Sequence, residues 1–141
     1  NQALKASGLG DQFLDNLQIW RDQMALGLTT WAEMPEPSRS DCHAWGASPN
    51  IEFYRILLGI DSDAPGFRKI RIAPSLGKLK EVSGTIPHPL GSVTAAYKLD
   101  ERGEGTARLV LPEGTTGIFI WDGKEIPLKP GEQVISLSLR H

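Results

Sequence analysis

A carboxylate and a histidine ten residues apart, Glu33 and His43, stand in a stretch that is rich in chemistry and poor in periodicity, GLTTWAEMPEPSRSDCHAW from Gly27 to Trp45. Glutamate is the side chain that activates water or protonates a leaving group, and histidine donates a hydrogen bond to a hydroxyl or moves a proton. Between them lie Glu36, Arg39 and Asp41, and Trp31 and Trp45 flank the histidine and the carboxylate with flat apolar faces able to lie against a sugar ring. A connection this long without helix or strand pattern is either functional or disordered. Trp31, Met34, Cys42 and Trp45 are too apolar for a solvated linker, so the stretch is expected to be an ordered loop that presents polar groups.

The other readings of these residues are plainer. Glu33 could be a loop glutamate in a structural ion pair, with Arg39 beside it. His43 could cap the next helix, Asp41 is better placed as a helix cap than as a partner that orients His43, and both tryptophans could be core. Cys42 next to His43 suggests a thiol nucleophile only weakly, because adjacent side chains on a regular element point different ways. His88 between Pro87 and Pro89 reads as a rigid turn residue, and the scattered histidines form no metal-ligand set. Gly103 and Gly105 sit in a hairpin setting and not in a phosphate loop.

The elements that must position this loop divide the 141-residue chain in two. Ala3 to Ser7 reads as a helix tail stopped by Gly8. Asp11 is a candidate N-cap for a helix over Gln12 to Leu26, where Phe13, Leu14, Leu17, Trp20 and Met24 recur at helical spacing and Gly27 ends the run. After the loop, Ala44 to Leu58 is again broadly helical with Gly59 as its stop, and Pro49 either occupies the first helical position after Ser48 or kinks a longer helix.

From Ile60 onward the punctuation changes, with ten of fifteen glycines and seven of ten prolines lying in Asp61 to His141 between short alternating runs. Strands are expected at Arg68 to Ala73, Lys80 to Ile86, Ser92 to Leu99, Thr106 to Leu111, Gly117 to Trp121, Glu125 to Leu128 and Gln133 to Leu139, separated by turn residues such as Asp122-Gly123. The fold class is α+β: a helical segment over 1–60 followed by an antiparallel β-sandwich over 61–141. About 80 residues can enclose a sandwich core, whereas three helical pieces in about 60 residues are marginal alone. The helical segment is therefore expected to pack on helices that precede it in a longer protein.

Composition narrows the function classes. Net charge is −2 with a pI near 5.9 and no basic block, which argues against nucleic-acid or membrane-surface binding. No apolar run approaches the roughly 20 residues that span a bilayer. One cysteine excludes an internal disulfide framework.

The combined motif TTWAEMPEPSRSDCHAWGASP, then LLGI at Leu57 to Ile60, then PGFRKIRIAPSLGKLKEVSGTIPHPLG, resembles the C-terminal part of bacterial α-L-rhamnosidases. The resemblance implies that the helices before Ile60 are the last ones of an (α/α)6 barrel, followed by a C-terminal β-sandwich. It implies an inverting glycosidase in which Glu33, after Thr29-Thr30, activates water; no cofactor or metal is expected. His43 contacts the sugar, and Trp31 and Trp45 are candidate stacking residues. The general acid lies upstream of Asn1, so this chain alone is expected to be inactive. The implied partners are a rhamnose-containing glycoside and the preceding helices of the same protein, and the implied location is extracytoplasmic, although some relatives are intracellular. The alternatives are a non-catalytic β-sandwich that binds carbohydrate or stabilises the barrel, and a glycosidase of the same fold for another sugar. Trp121 bears on the first of these: an exposed indole beside Asp122-Gly123 is a sugar platform, a buried one is core.

Overall fold

The computed structural model describes residues 1–138. Helical pieces come first: α1 (Gln2–Ala6), α2 (Gln18–Ala25) and α3 (Pro49–Glu52). Eight strands follow: β1 (Ile60–Ser62), β2 (Lys69–Ile72), β3 (Glu81–His88), β4 (Gly91–Leu99), β5 (Gly105–Leu111), β6 (Thr116–Trp121), β7 (Lys124–Leu128) and β8 (Gly131–Leu137). They form two four-stranded sheets in the orders β1-β2-β6-β7 and β3-β4-β5-β8.

The alternation that suggested strands buries one face of each sheet. In β4, Val93, Ala95 and Tyr97 point inward; in β5, Ala107, Leu109 and Leu111; in β2, Ile70 and Ile72; in β6, Phe119. These side chains make one continuous core between the sheets. Tyr97, Phe119 and Trp121 stack in succession through it, each pair with centroids 6.4 Å apart.

Four sequence expectations are corrected. The sandwich is not wholly antiparallel. After β2 the chain crosses to the other sheet for β3, β4 and β5, then returns with β6 parallel to β2, Lys69 opposite Thr116 and Ile72 opposite Phe119. Strand β1 was missed because three residues carry no readable alternation. The last strand ends at Leu137, and the Leu139 expected at its end lies outside the described residues. Strand β3 runs through Pro87, which the edge of a sheet tolerates because a missing N–H there breaks no inner ladder.

The helices depart more. Instead of one helix over Gln12 to Leu26, 3-10 turns at Gly10–Gln12 and Asp15–Leu17 precede α2. Asp11 does not cap this segment: its Oδ1 accepts the backbone N–H of Gly77 at 2.9 Å, tying the turn to the sandwich. The face is also rotated, with Gln23 buried and Met24 63% exposed. The second expected helix breaks into a 3-10 turn at Ala44–Ala47, α3 with Pro49 at its first position after Ser48, and a π-helical turn over Phe53–Leu57.

A small cluster of Phe13, Leu17, Ile56 and Leu57 holds the helical pieces together. Hydrogen bonds that join them to the sandwich include the Gly77 N–H to Asp11, the N–H of Ser75 to the Ile56 carbonyl at 2.9 Å, and the Tyr97 hydroxyl to the Leu58 carbonyl at 2.8 Å. Burial pushes the Tyr97 phenol far above its ordinary range, so it remains a neutral donor. Tyr97→Phe keeps the ring and removes this donor; chemical denaturation should show a loss of about 1–2 kcal/mol, and an unchanged midpoint would mean that the bond contributes nothing to joining the two parts.

Candidate functional site

The loop from Gly27 to His43 is ordered by its own backbone and by α2. Its limbs run together, with the Glu33 N–H donating to the Ser40 carbonyl at 2.9 Å and the His43 N–H to the Trp31 carbonyl at 2.8 Å. Thr30 Oγ1 donates to the Asp41 carbonyl. Two side chains of α2 hold the paired limbs from beneath. Buried Gln23 accepts the Ala32 N–H on its Oε1 at 2.9 Å, and Trp20 donates its Nε1–H to the Gly46 carbonyl at 2.7 Å. At position 46 an added Cβ would stand 2.9 Å from both the Ala32 carbonyl oxygen and Trp31 Cβ, so glycine allows the 3-10 turn to lie against the loop.

Within this frame Glu33 has an inward side chain, 5% exposed, and a two-pronged partner. Arg39 donates through Nε to Oε2 at 3.0 Å and through Nη2 to Oε1. The guanidinium itself is 75% exposed. A planar fork of this kind sets the plane of the carboxylate as well as its position. A carboxylate offers about four lone-pair sites, so two remain after both Arg39 bonds for water or a hydroxyl.

His43 occupies the N-cap position of the Ala44–Ala47 turn, but its side chain makes no capping bond. Its ring lies 4.4 Å from that of Trp45, tilted by 43°. Trp45 is 64% exposed within this chain and belongs to neither of its buried clusters. Asp41 is exposed and engaged through its carbonyl, so it is not the cap of this turn. Cys42 is exposed, its carbonyl accepting from Ser40 Oγ at 3.2 Å. Trp31 is half-buried and lines a cleft of about 420 Å3 with Leu14, Trp20, Met24 and Phe53; Glu33 and His43 do not line it. The structure thus pairs Glu33 with Arg39 and His43 with Trp45, and joins the Trp31 and His43 backbones.

His88 is a structural residue: Nδ1 accepts the Leu90 N–H at 3.1 Å, which leaves Nε2–H to donate to the Phe67 carbonyl at 2.8 Å. Among the described residues no three His, Cys, Asp or Glu side chains gather as metal ligands, and no helix is long and apolar enough to cross a membrane.

Sequence reasoning passed over Gln23, Trp20 as a donor, and Gly46. Gln23 had a signal, a polar residue three positions after Trp20 on the apolar stripe, where burial demands a partner. Gln23→Leu removes the acceptor of the Ala32 N–H, so amide exchange at Ala32, Glu33 and His43 should accelerate about tenfold or more while the β-strand amides keep their protection. Unchanged exchange in the loop would show that α2 does not brace it.

The model of the bacterial alpha-L-rhamnosidase C-terminal domain matches residues 59–133. Among solved structures, the chain superposes on an alpha-L-rhamnosidase from Aspergillus terreus with a TM-score of 0.86 at 20% identity, over 96% of this chain and 18% of that one. An alpha-L-rhamnosidase from Dictyoglumus thermophilum gives 0.71 at 18%, over 83% and 17%. The Streptomyces avermitilis alpha-L-rhamnosidase, solved with L-rhamnose, gives 0.63 at 19%, over 84% and 14%. At these identities the likeness is one of fold, and the chain spans less than a fifth of each of these proteins. No curated protein sequence matches it. With just over half of its length matched by the family model, from the Gly59 turn to β8, the chain belongs to the bacterial alpha-L-rhamnosidase C-terminal domain family.

Proposed function

We propose that this chain forms the closing part of an α-L-rhamnosidase that removes terminal α-L-rhamnose with inversion. In this reading residues 1–60 are the last helices of an (α/α)6 catalytic barrel and 61–141 are the C-terminal sandwich. The observation that carries it is the Glu33 carboxylate, inward-facing, held in one plane by Arg39, on a loop braced from α2.

Glu33 is the general base. It takes a proton from a water lying on the face of the sugar opposite the leaving oxygen, and that water forms the new bond at the anomeric carbon as the glycosidic bond breaks. Inversion requires a second carboxyl about 6.5–9.5 Å away to protonate the leaving oxygen. That group comes from outside this chain. Arg39 orients the base so that its unspent lone pairs face the water. His43 donates to a sugar hydroxyl, its ring set by Trp45, and Trp31 and Trp45 are the apolar surfaces available to the ring. The structure of the Streptomyces avermitilis relative with L-rhamnose supports this class of ligand. The sandwich serves the site indirectly, anchoring the helical pieces through Asp11, Ile56 and Leu58.

In the longer polypeptide, Glu33→Gln should keep the fold and lower turnover of an aryl α-L-rhamnoside by about 100-fold or more, within the usual range for a general base. Near-normal turnover would remove Glu33 from the reaction. His43→Ala should weaken binding of free L-rhamnose by up to about tenfold, the value of one hydrogen bond, with little change in Tm. Equal affinity by calorimetry would leave His43 without a sugar contact.

A further inference from the structure

The β6–β7 hairpin faces the Gly10–Gln12 turn across a cleft of about 220 Å3. Its walls include Asp11, Leu76, Gly77, Leu99, Trp121 and Asp122. Trp121 is neither fully exposed nor fully buried: it packs against the edge of the core. It is half-buried and stacks on Phe119 at an interplanar angle of 12°, its Nε1–H is donated to the Ser138 carbonyl at 3.1 Å, and the indole surface left over lines the cleft. The ring is therefore held in place before any ligand arrives, which lowers the cost of binding.

The polar groups are placed with similar firmness. Asp11 spends Oδ1 on the Gly77 N–H and keeps Oδ2 beyond that bond. Asp122 stands at φ 49° in a two-residue turn with Gly123 at φ 71°. Asparagine and aspartate tolerate this left-handed backbone best, so the turn accounts for the residue type but not for a carboxylate rather than an amide at the rim. No lysine or arginine lines the cleft, which disfavours an anion. A fixed indole surface, apolar Leu76 and Leu99, and two acceptors match a neutral ring with one C–H face and hydroxyls at its edge.

We propose that this cleft is a second sugar-binding site, holding one neutral pyranose such as the terminal residue of a glycan, with Trp121 under the ring and Asp11 and Asp122 accepting hydroxyl hydrogen bonds. It goes beyond the catalytic reading and uses none of the residues of the Gly27–Trp45 loop. Its function is to hold a glycan on the sandwich independently of turnover.

The test is a titration of the isotopically labelled 141-residue chain with L-rhamnose, following amide and indole N–H signals. A site of one stacked ring and a few hydrogen bonds should give a Kd of about 1–10 mM. Shifts should centre on the Trp121 indole, Gly77 and Asp122. Trp121→Leu should weaken binding about tenfold or more, and Asp122→Asn, which keeps the turn and hence the fold, about threefold or more. Absence of shifts at these residues up to about 50 mM sugar would overturn the proposal. So would shifts confined to His43 and Trp45, a response to tetramethylammonium in place of the sugar, or equal affinity in Asp122→Asn. None of these outcomes bears on Glu33, whose role is read from turnover.

Discussion

No side chain fits at position 59. The backbone there has φ 73°, and a Cβ would stand 2.2 Å from the Ala73 carbonyl carbon and 2.3 Å from the Pro74 nitrogen. Gly59 is where the helical part ends and β1 begins, and its carbonyl accepts the Ala73 N–H at 3.0 Å. The close approach brings the end of the π-helical turn onto the β2 exit, which lets Tyr97 reach Leu58 and Ser75 reach Ile56. Both parts thus share one rigid junction, in which a glycine removes the steric conflict and the Ala73, Ser75 and Tyr97 donors each find a carbonyl.

From that junction the geometry propagates to the loop. The Ile56 and Leu57 side chains pack on Phe13 and Leu17, Phe53 meets Phe13 edge to face with centroids 5.4 Å apart, and the segment leading to Trp20 and Gln23 is set by that packing. Those two side chains then fix the loop by hydrogen bonds to backbone. A carboxylate that must act on one water from one direction needs such a frame, because misplacement by about 1 Å costs orders of magnitude in rate. The Arg39 fork holds Glu33 in one plane, as a structural ion pair and a base in a set orientation both require.

The sandwich combines two duties through one aromatic column. Tyr97 at one end anchors the helical part, Phe119 is fully buried in the middle, and Trp121 at the other end meets the cleft beside Asp122. Stacked rings fill the space between sheets with few rotatable bonds, so both ends of the column are held by the same packing.

Much of the sandwich was legible in the sequence because a two-residue period marks a half-buried strand and because glycine and proline mark turns by the backbone angles they allow. The strands from Lys69 to Leu128 were found to within a few residues for that reason. The Glu33 and His43 loop was legible from its lack of period combined with aromatic content, and its family from a long motif. What the sequence could not convey depended on partners far away along the chain. The parallel pairing of β2 and β6 arises from strands that intervene in the other sheet. Asp11 left its capping role because Gly77, 66 residues on, offered a backbone N–H. The helical period between Gln12 and Leu26 was overridden where the chain had to turn against Ser75, and Gln23 was drawn inward by the loop amide it accepts. Local pattern determined which residues are strand and turn; tertiary hydrogen bonding and steric fit decided which polar groups are spent on the fold and which are left for a ligand.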